Sequence, residues 1–164
     1  MVLTTTLALE LLVLLTVANG APVLATRLLG RRGAWPLDGG ARAWDGRPLL
    51  GTSKTVRGVL VAVVATALFA ALMGLGWRLG VVFGAAAMAG DLFSSFLKRR
   101  MGIQSSGQAV GLDQIPEALF PLLACYGTLR LDPSSVALLV VLFTVAQIVM
   151  SPVMYVLGIR RRPY

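Results

Sequence analysis

The run Gly90-Asp91-Leu92-Phe93-Ser94-Ser95-Phe96-Leu97-Lys98-Arg99-Arg100 brings charge into a segment otherwise suited to lipid. At about 100° per residue, Asp91, Ser95 and Lys98 fall on one face of a helix. That face then carries a carboxylate, a hydroxyl and an ammonium. A charged side chain at mid-bilayer costs roughly 2.5–3.5 kcal/mol on insertion scales, so it normally lines a cavity or holds a partner. Asp91 lies about 10 Å along the axis from Lys98, which places it beneath a membrane surface and not at the centre. Two further segments open apolar runs with polar groups. Gly51-Thr52-Ser53-Lys54-Thr55-Val56-Arg57-Gly58 sets Lys54 and Arg57 one turn apart. It is not a Walker A loop, because Thr52 and Ser53 separate Gly51 from Lys54. Ser53 or Thr52 is expected to cap the helix that follows, whose free N–H groups suit an anion. Leu112-Asp113-Gln114-Ile115-Pro116-Glu117 offers Asp113 as an N-cap or as a second carboxylate. Two carboxylates and several cations, with no His, suit Mg2+ and phosphates.

Plainer readings stand beside these. Asp91 can sit in an internal salt bridge to Lys54 or Arg57. Asp113 can serve only as a cap. Lys54, Arg57, Lys98, Arg99 and Arg100 can be topological charges at a membrane surface. Asp38 and Asp45 lie in Pro36-Leu37-Asp38-Gly39-Gly40 and Trp44-Asp45-Gly46-Arg47-Pro48, where Asp-Gly pairs form turns. Asn19 and Pro22 are expected near one end of the first span, where Pro22 removes a backbone hydrogen bond and opens a polar notch. Glu10 lies toward the other end, with no partner assigned.

These groups must be positioned by membrane helices. The chain has 164 residues, of which 57% are hydrophobic and 13% charged. Its mean hydropathy is +0.80. Soluble chains carry about 25% charged residues. The apolar residues come in blocks of about twenty, the length that crosses a bilayer. The expectation is an all-α integral membrane protein, one domain over residues 1–164. Five spans are expected: Val2–Ala25, Thr55–Leu75, Leu79–Leu97, Ile115–Thr128 and Ser135–Gly158. The fourth is the shortest.

Basic residues set the orientation. Arg27, Arg31, Arg32, Arg42, Arg47, Lys54 and Arg57 crowd the first connection, and Arg78 is alone in the second. Lys98, Arg99 and Arg100 follow, then Arg130 alone, then Arg160, Arg161 and Arg162. The alternation places the N-terminus outside and the C-terminus in the cytoplasm. The net charge of +8 is thereby explained by topology and anionic lipid, not by nucleic acid. The single Cys125 excludes an intrachain disulfide, and the lack of His removes the commonest general base. No internal repeat is visible, which argues against a transporter built from inverted halves.

In order and spacing, the motifs resemble the CDP-archaeol synthase family, small membrane enzymes related to phosphatidate cytidylyltransferases. The resemblance runs through Asn19-x-x-Pro22, Pro36-Leu37-Asp38-x-Gly40, Asp45-Gly46-Arg47, Gly51 and Lys54-Thr55-x-Arg57-Gly58. It continues through Gly90-Asp91, Ser95-Phe96-x-Lys98-Arg99-Arg100-x-Gly102-Ile103 and Leu112-Asp113-Gln114. It implies that CTP and a lipid phosphate give a CDP-lipid and pyrophosphate with Mg2+, at the cytoplasmic face of the cell membrane, for phospholipid biosynthesis. On that resemblance, Asp91, Asp113, Lys54 and Lys98 form the catalytic centre, with Asp91 and Asp113 on the metal. Lys54, Arg57, Lys98 and Arg99 hold phosphates. Asn19, Asp38, Asp45, Arg47, Thr55 and Ser95 shape the CTP and headgroup pockets. The lipid is archaeol-phosphate-like or phosphatidate-like. Membrane lipids surround the chain, and a homodimer is allowed but not specified. Two other classes remain open: a small ion-coupled transporter using Asp91 and Glu10, and a non-catalytic lipid-binding protein.

Overall fold

The computed structural model describes residues 3–30, 32–105, 107 and 109–156. Val2, Arg31, Gly158 and the basic group Arg160, Arg161 and Arg162 lie outside the described residues. The chain is all-helical among those described: α1 Thr5–Leu29, α2 Val56–Leu72, α3 Trp77–Arg100, α4 Gln114–Ala124, α5 Tyr126–Leu129 and α6 Pro133–Val156. Three helices, α1, α3 and α6, are long and apolar enough to cross a membrane. α2 is mostly apolar beyond Arg57 but has only 17 residues. The fourth expected span is a broken helix. α4 has 11 residues and ends at Cys125, whose φ of −101° and ψ of 7° leave the helical region, before the single turn of α5.

The ends of the helices follow local chemistry. Thr4 caps α1 by accepting from the Leu7 N–H at 3.2 Å. α1 runs straight through Pro22, and the Thr26 hydroxyl donates to the Pro22 carbonyl at 2.9 Å. The helix is continuous past Pro22, without a break at the expected notch. α2 is capped by Thr55, whose hydroxyl accepts from the Gly58 N–H at 3.1 Å. This corrects the assignment of the cap to Ser53 or Thr52. Asp132 accepts from the Ser135 N–H and both nearby serine hydroxyls at the start of α6. Those donors hold its carboxyl down at about 2.

α3 is the spine of the site, packed on α1, α2 and α4. Lipid tails are as apolar as Leu, so helices in a bilayer associate by close packing, which small residues permit. A Cβ on Gly80 would lie 2.6 Å from the Ala67 Cα, and one on Gly84 would lie 3.1 Å from the Val63 Cα. These contacts seat α2 on α3. At the far end from the polar cluster, Leu11, Leu14 and Leu15 pack with Phe83, Leu122, Leu139 and Phe143.

The segment between α1 and α2 is ordered by its own backbone. Leu37 N–H donates to the Lys54 carbonyl and Val56 N–H to that of Trp35, beside an isolated bridge from Pro36 to Thr55. A second bridge joins Arg42 and Pro48. The loop is thus folded back over the ends of α2 and α3.

Candidate active site

Two lysine–carboxylate pairs meet around the polar end of α3. The Lys54 ammonium, just before α2, donates to both oxygens of Asp91 at 2.6 Å. The Lys98 ammonium lies 2.5 Å from Asp113 Oδ1 and donates to the Gly107 carbonyl at 3.0 Å. Asp113 Oδ2 accepts from the Ala109 N–H at 2.9 Å. Lys98 is 7% exposed, so its charge is held by these partners and not by water.

Asp113 therefore does not cap α4. Its own backbone is helical, and no capping hydrogen bond forms. Its carboxylate turns back to Ala109 and Lys98, and Gln114 Oε1 instead accepts from the Gly111 N–H at 2.7 Å. The internal salt bridge to Lys54 is the arrangement Asp91 adopts.

Glu117 is the group the sequence reading left out. Its carboxyl lies against that of Asp91, with Lys54 beside both. The signal was present: Asp113 and Glu117 are four residues apart and share a face of one helix. Gly90 makes the approach possible. A Cβ there would lie 2.1 Å from the Pro116 carbonyl oxygen and 2.9 Å from the Glu117 nitrogen. A single methyl must push α4 off α3, and overpacking of this kind costs typically about 1–3 kcal/mol. Gly90→Ala is expected to lower the melting temperature in detergent and to separate Asp91 from Glu117. A variant as stable as the parent would show that the helices are not locked here.

Arg57 is drawn elsewhere. Its guanidinium donates to the Gly30 carbonyl at 3.0 Å, to the Arg32 carbonyl, and weakly to the Thr26 hydroxyl. It closes the free carbonyls at the end of α1, as cations at helix C-termini do. The sequence reading expects Arg57 beside Lys54 in a phosphate site; here its donors meet these groups at the end of α1. Asn19 donates to the Leu15 carbonyl of its own helix at 2.9 Å. Thr55 is engaged as the α2 cap. Ser95 is buried on α3, one turn from Asp91.

A cavity of about 550 Å³ opens between the loop that precedes α2 and the end of α3, lined by Arg42, Arg47, Thr52, Arg99, Gln104 and Ser105 among others. Arg99 is 4% exposed, and its Nε has no hydrogen-bond partner. Gly51, at φ +94°, gives the wall its shape: a Cβ there would lie 2.9 Å from Ser105 Oγ and 3.5 Å from the Arg99 guanidinium.

Asp38 and Asp45 are turn aspartates, and Asp38 belongs to the wall. Asp38 accepts from the backbone N–H groups of Gly40, Leu50 and Gly51 at 3.0, 2.9 and 3.1 Å. Burial pushes its carboxyl up, but these donors together outweigh burial and hold it below the usual carboxylate value. A depressed carboxyl stabilises the fold fully above its unfolded value of about 4, and that contribution fades as pH falls through the lower folded value. Asp38→Ala strands partly buried donors and is expected to cost about 1–3 kcal/mol at neutral pH, read as a thermal shift in detergent. An unshifted melt would remove Asp38 from the scaffold. Asp45 accepts from the Arg47 N–H at 3.0 Å and pairs with Arg100.

No group of three or more carboxylates or other metal-binding side chains forms among the described residues. Asp91 and Asp113, the expected metal pair, each face a lysine of their own. The donors that do touch are Asp91 and Glu117. Mg2+ is usually held by one or two carboxylates together with substrate phosphates, so this oxygen pair fits that ion.

The family model for CarS-like CDP-archaeol synthase matches residues 5–164 of the chain. The CDP-archaeol synthase of Hyperthermus butylicus is 38% identical over 115 residues, covering 66% of each chain, just under two thirds. That of Aeropyrum pernix is 35% identical over 159 residues, 90% of this chain and 86% of the other. A solved structure of an intramembrane enzyme for archaeal membrane lipids biosynthesis superposes with a TM-score of 0.74 at 30% identity, covering 89% of this chain and 93% of its own.

Proposed function

The chain belongs to the CDP-archaeol synthase family, and from that premise we propose that it is a membrane cytidylyltransferase. It joins CTP to a lipid phosphate, giving a CDP-lipid and pyrophosphate for phospholipid synthesis. The observation that carries this reading is the Lys54–Asp91–Glu117 cluster, together with an arginine-lined cavity built from the loop that carries Lys54 and the helix that carries Asp91.

The chemistry matches those groups. A lipid phosphate oxygen forms a bond to the α-phosphorus of CTP as the bond to the bridging β-oxygen breaks, and pyrophosphate leaves. The nucleophile is already an anion, so no general base is needed. Both reactants are anionic, and catalysis consists of neutralising and aligning them. Asp91 and Glu117 would hold Mg2+, which would screen the phosphate charge and polarise the attacked phosphorus. Arg99, with its partnerless Nε, and Arg47 and Arg42 would bind the triphosphate in the cavity, whose size lies within the roughly 300–1,000 Å³ of small-molecule sites. Lys54 follows Thr52 of that cavity's wall by two residues and holds Asp91, so it can exchange a carboxylate for a phosphate. Lys98 would hold Asp113 and the Gly107 carbonyl in place, and Asp113 in turn holds the Ala109 N–H.

The remaining topology is read as five crossings over one domain of residues 1–164. The short α2 and α4–α5 complete the spans, with the polar cluster facing the cytoplasm, the N-terminus outside and the C-terminus inside. The crowding of Arg and Lys at the cluster's end supports this orientation.

The test is incorporation of radiolabelled CTP into lipid by purified protein, with a panel of isoprenoid ether and diacyl lipid phosphates. Metal-dependent incorporation with one class is expected and would identify the tails. Uptake by proteoliposomes without incorporation would favour transport, and neither signal would leave a lipid-binding protein.

A further inference from the structure

Arg99 and Arg100 are neighbours on α3, yet they face different surroundings. Arg99 points into the cavity. Arg100 turns away from the cavity and is covered by the loop between α1 and α2. Its guanidinium lies 5.5 Å from the centre of the Trp44 ring and 5.2 Å from that of Phe96, and the two rings are 6.1 Å apart. It donates to the Pro48 carbonyl at 2.5 Å, touches the Arg47 carbonyl at 3.4 Å, and pairs with Asp45. The loop answers in kind, because the Arg47 guanidinium donates to the Arg100 carbonyl and packs 3.5–3.8 Å from the Cβ position of Gly102. Phe96 and Arg100 are one turn apart on the same helical face, so α3 itself presents the stacking pair.

We propose that Arg100 is a positioning residue that straps the 35–54 loop onto the end of α3, and so fixes the wall of the nucleotide cavity. Arg42, Arg47, Pro48, Gly51 and Thr52 line that cavity from the loop, while Arg99, Gly102 and Gln104 line it from α3 and the turn beyond. The two walls are joined at this end by Arg100. Away from this end the loop is held by Lys54 on Asp91 and by a 3.3 Å contact between the Ser53 and Ser105 hydroxyls. At this end the Arg47 bond to the Arg100 carbonyl is the link that does not use the Arg100 side chain. Without the strap, the separation of Arg47 and Arg99 rests on the bond from Arg47 to the Arg100 carbonyl alone at this end of the loop. A planar guanidinium is required, because it stacks on two rings and donates in its plane to a carboxylate and a carbonyl at once. A lysine keeps the charge but has neither the plane nor the fork.

This inference rests on the reading of the cavity as the CTP site, so its test carries one readout that does not. In the full-length protein in detergent, hydrogen exchange at the Ala43 and Leu49 amides reports the loop ladder, since they donate to the Arg47 and Ala41 carbonyls. Arg100→Ala is expected to speed exchange at both amides at least tenfold and to raise the KM for CTP at least tenfold, with kcat changed less than threefold. Arg100→Lys is expected to restore neither. Arg130→Ala, far from the loop, should behave as the parent. Unchanged amide exchange in Arg100→Ala, or full rescue of exchange and KM by Arg100→Lys, overturns the strap. If the parent does not turn over CTP at all, the proposed function fails and the exchange result alone decides the strap.

Discussion

Asp91→Asn is expected to reduce cytidylyl transfer by about a thousandfold or more while the protein still inserts and folds. Removing one preorganised electrostatic group from a transition state commonly costs about 100- to 1,000-fold, and Asp91 also anchors Lys54. The fold should survive for a specific reason. Breaking a buried ion pair usually costs about 3–5 kcal/mol because it leaves one charge uncompensated. Here Glu117 lies against Asp91 with Lys54 beside it, so the ammonium keeps a carboxylate partner after the substitution. The paired measurement is incorporation of CMP into lipid alongside a thermal melt in detergent. Turnover near the parental rate would remove Asp91 from the reaction, and loss of both signals together would make it a structural residue only.

The second prediction separates Glu117 from Asp113. Glu117→Gln preserves size and hydrogen bonding but removes one of two touching carboxylates. Transfer should fall about a hundredfold, and the Mg2+ concentration needed for half-maximal rate should rise, as loss of an oxygen ligand implies. Asp113→Asn should act differently. Lys98, itself buried, loses its counter-charge, while an amide oxygen can still accept from Ala109. Stability should drop by about 3–5 kcal/mol with the Mg2+ dependence of the residual activity little changed. A shift in Mg2+ requirement for Asp113→Asn but not for Glu117→Gln would return the metal to the Asp91 and Asp113 pair.

The sequence disclosed the helical nature of the chain, and it disclosed Asp91, Lys54, Asp113 and Lys98 as groups that had to find partners in lipid. Charge in an apolar run is a strong signal because burial without a partner is so costly. Which partner each found was not legible. Lys54 and Asp91 lie 37 residues apart in sequence, and their meeting depends on Gly80 and Gly84 seating α2 on α3. The Glu117 contact depends on Gly90 admitting α4, a close approach that periodicity cannot announce. The carbonyl partners of Arg57 were not legible, because its spacing from Lys54 is visible in the sequence and the open carbonyls at the end of α1 are not. Asp38 and Asp45 behaved as Asp-Gly turn chemistry suggests. The fourth span read as one apolar run, yet it breaks at Cys125, where no Gly or Pro marks the exact residue.

The central claim is that the phosphates of CTP are parted between two products at the Asp91 cluster. It is tested most directly by supplying the purified protein with a lipid phosphate and CTP labelled on either the α- or the γ-phosphorus. The α-label should enter the lipid fraction and the γ-label should appear only in pyrophosphate, with both transfers absent in Asp91→Asn. Appearance of γ-label in lipid, or of neither label with any lipid phosphate, would contradict it.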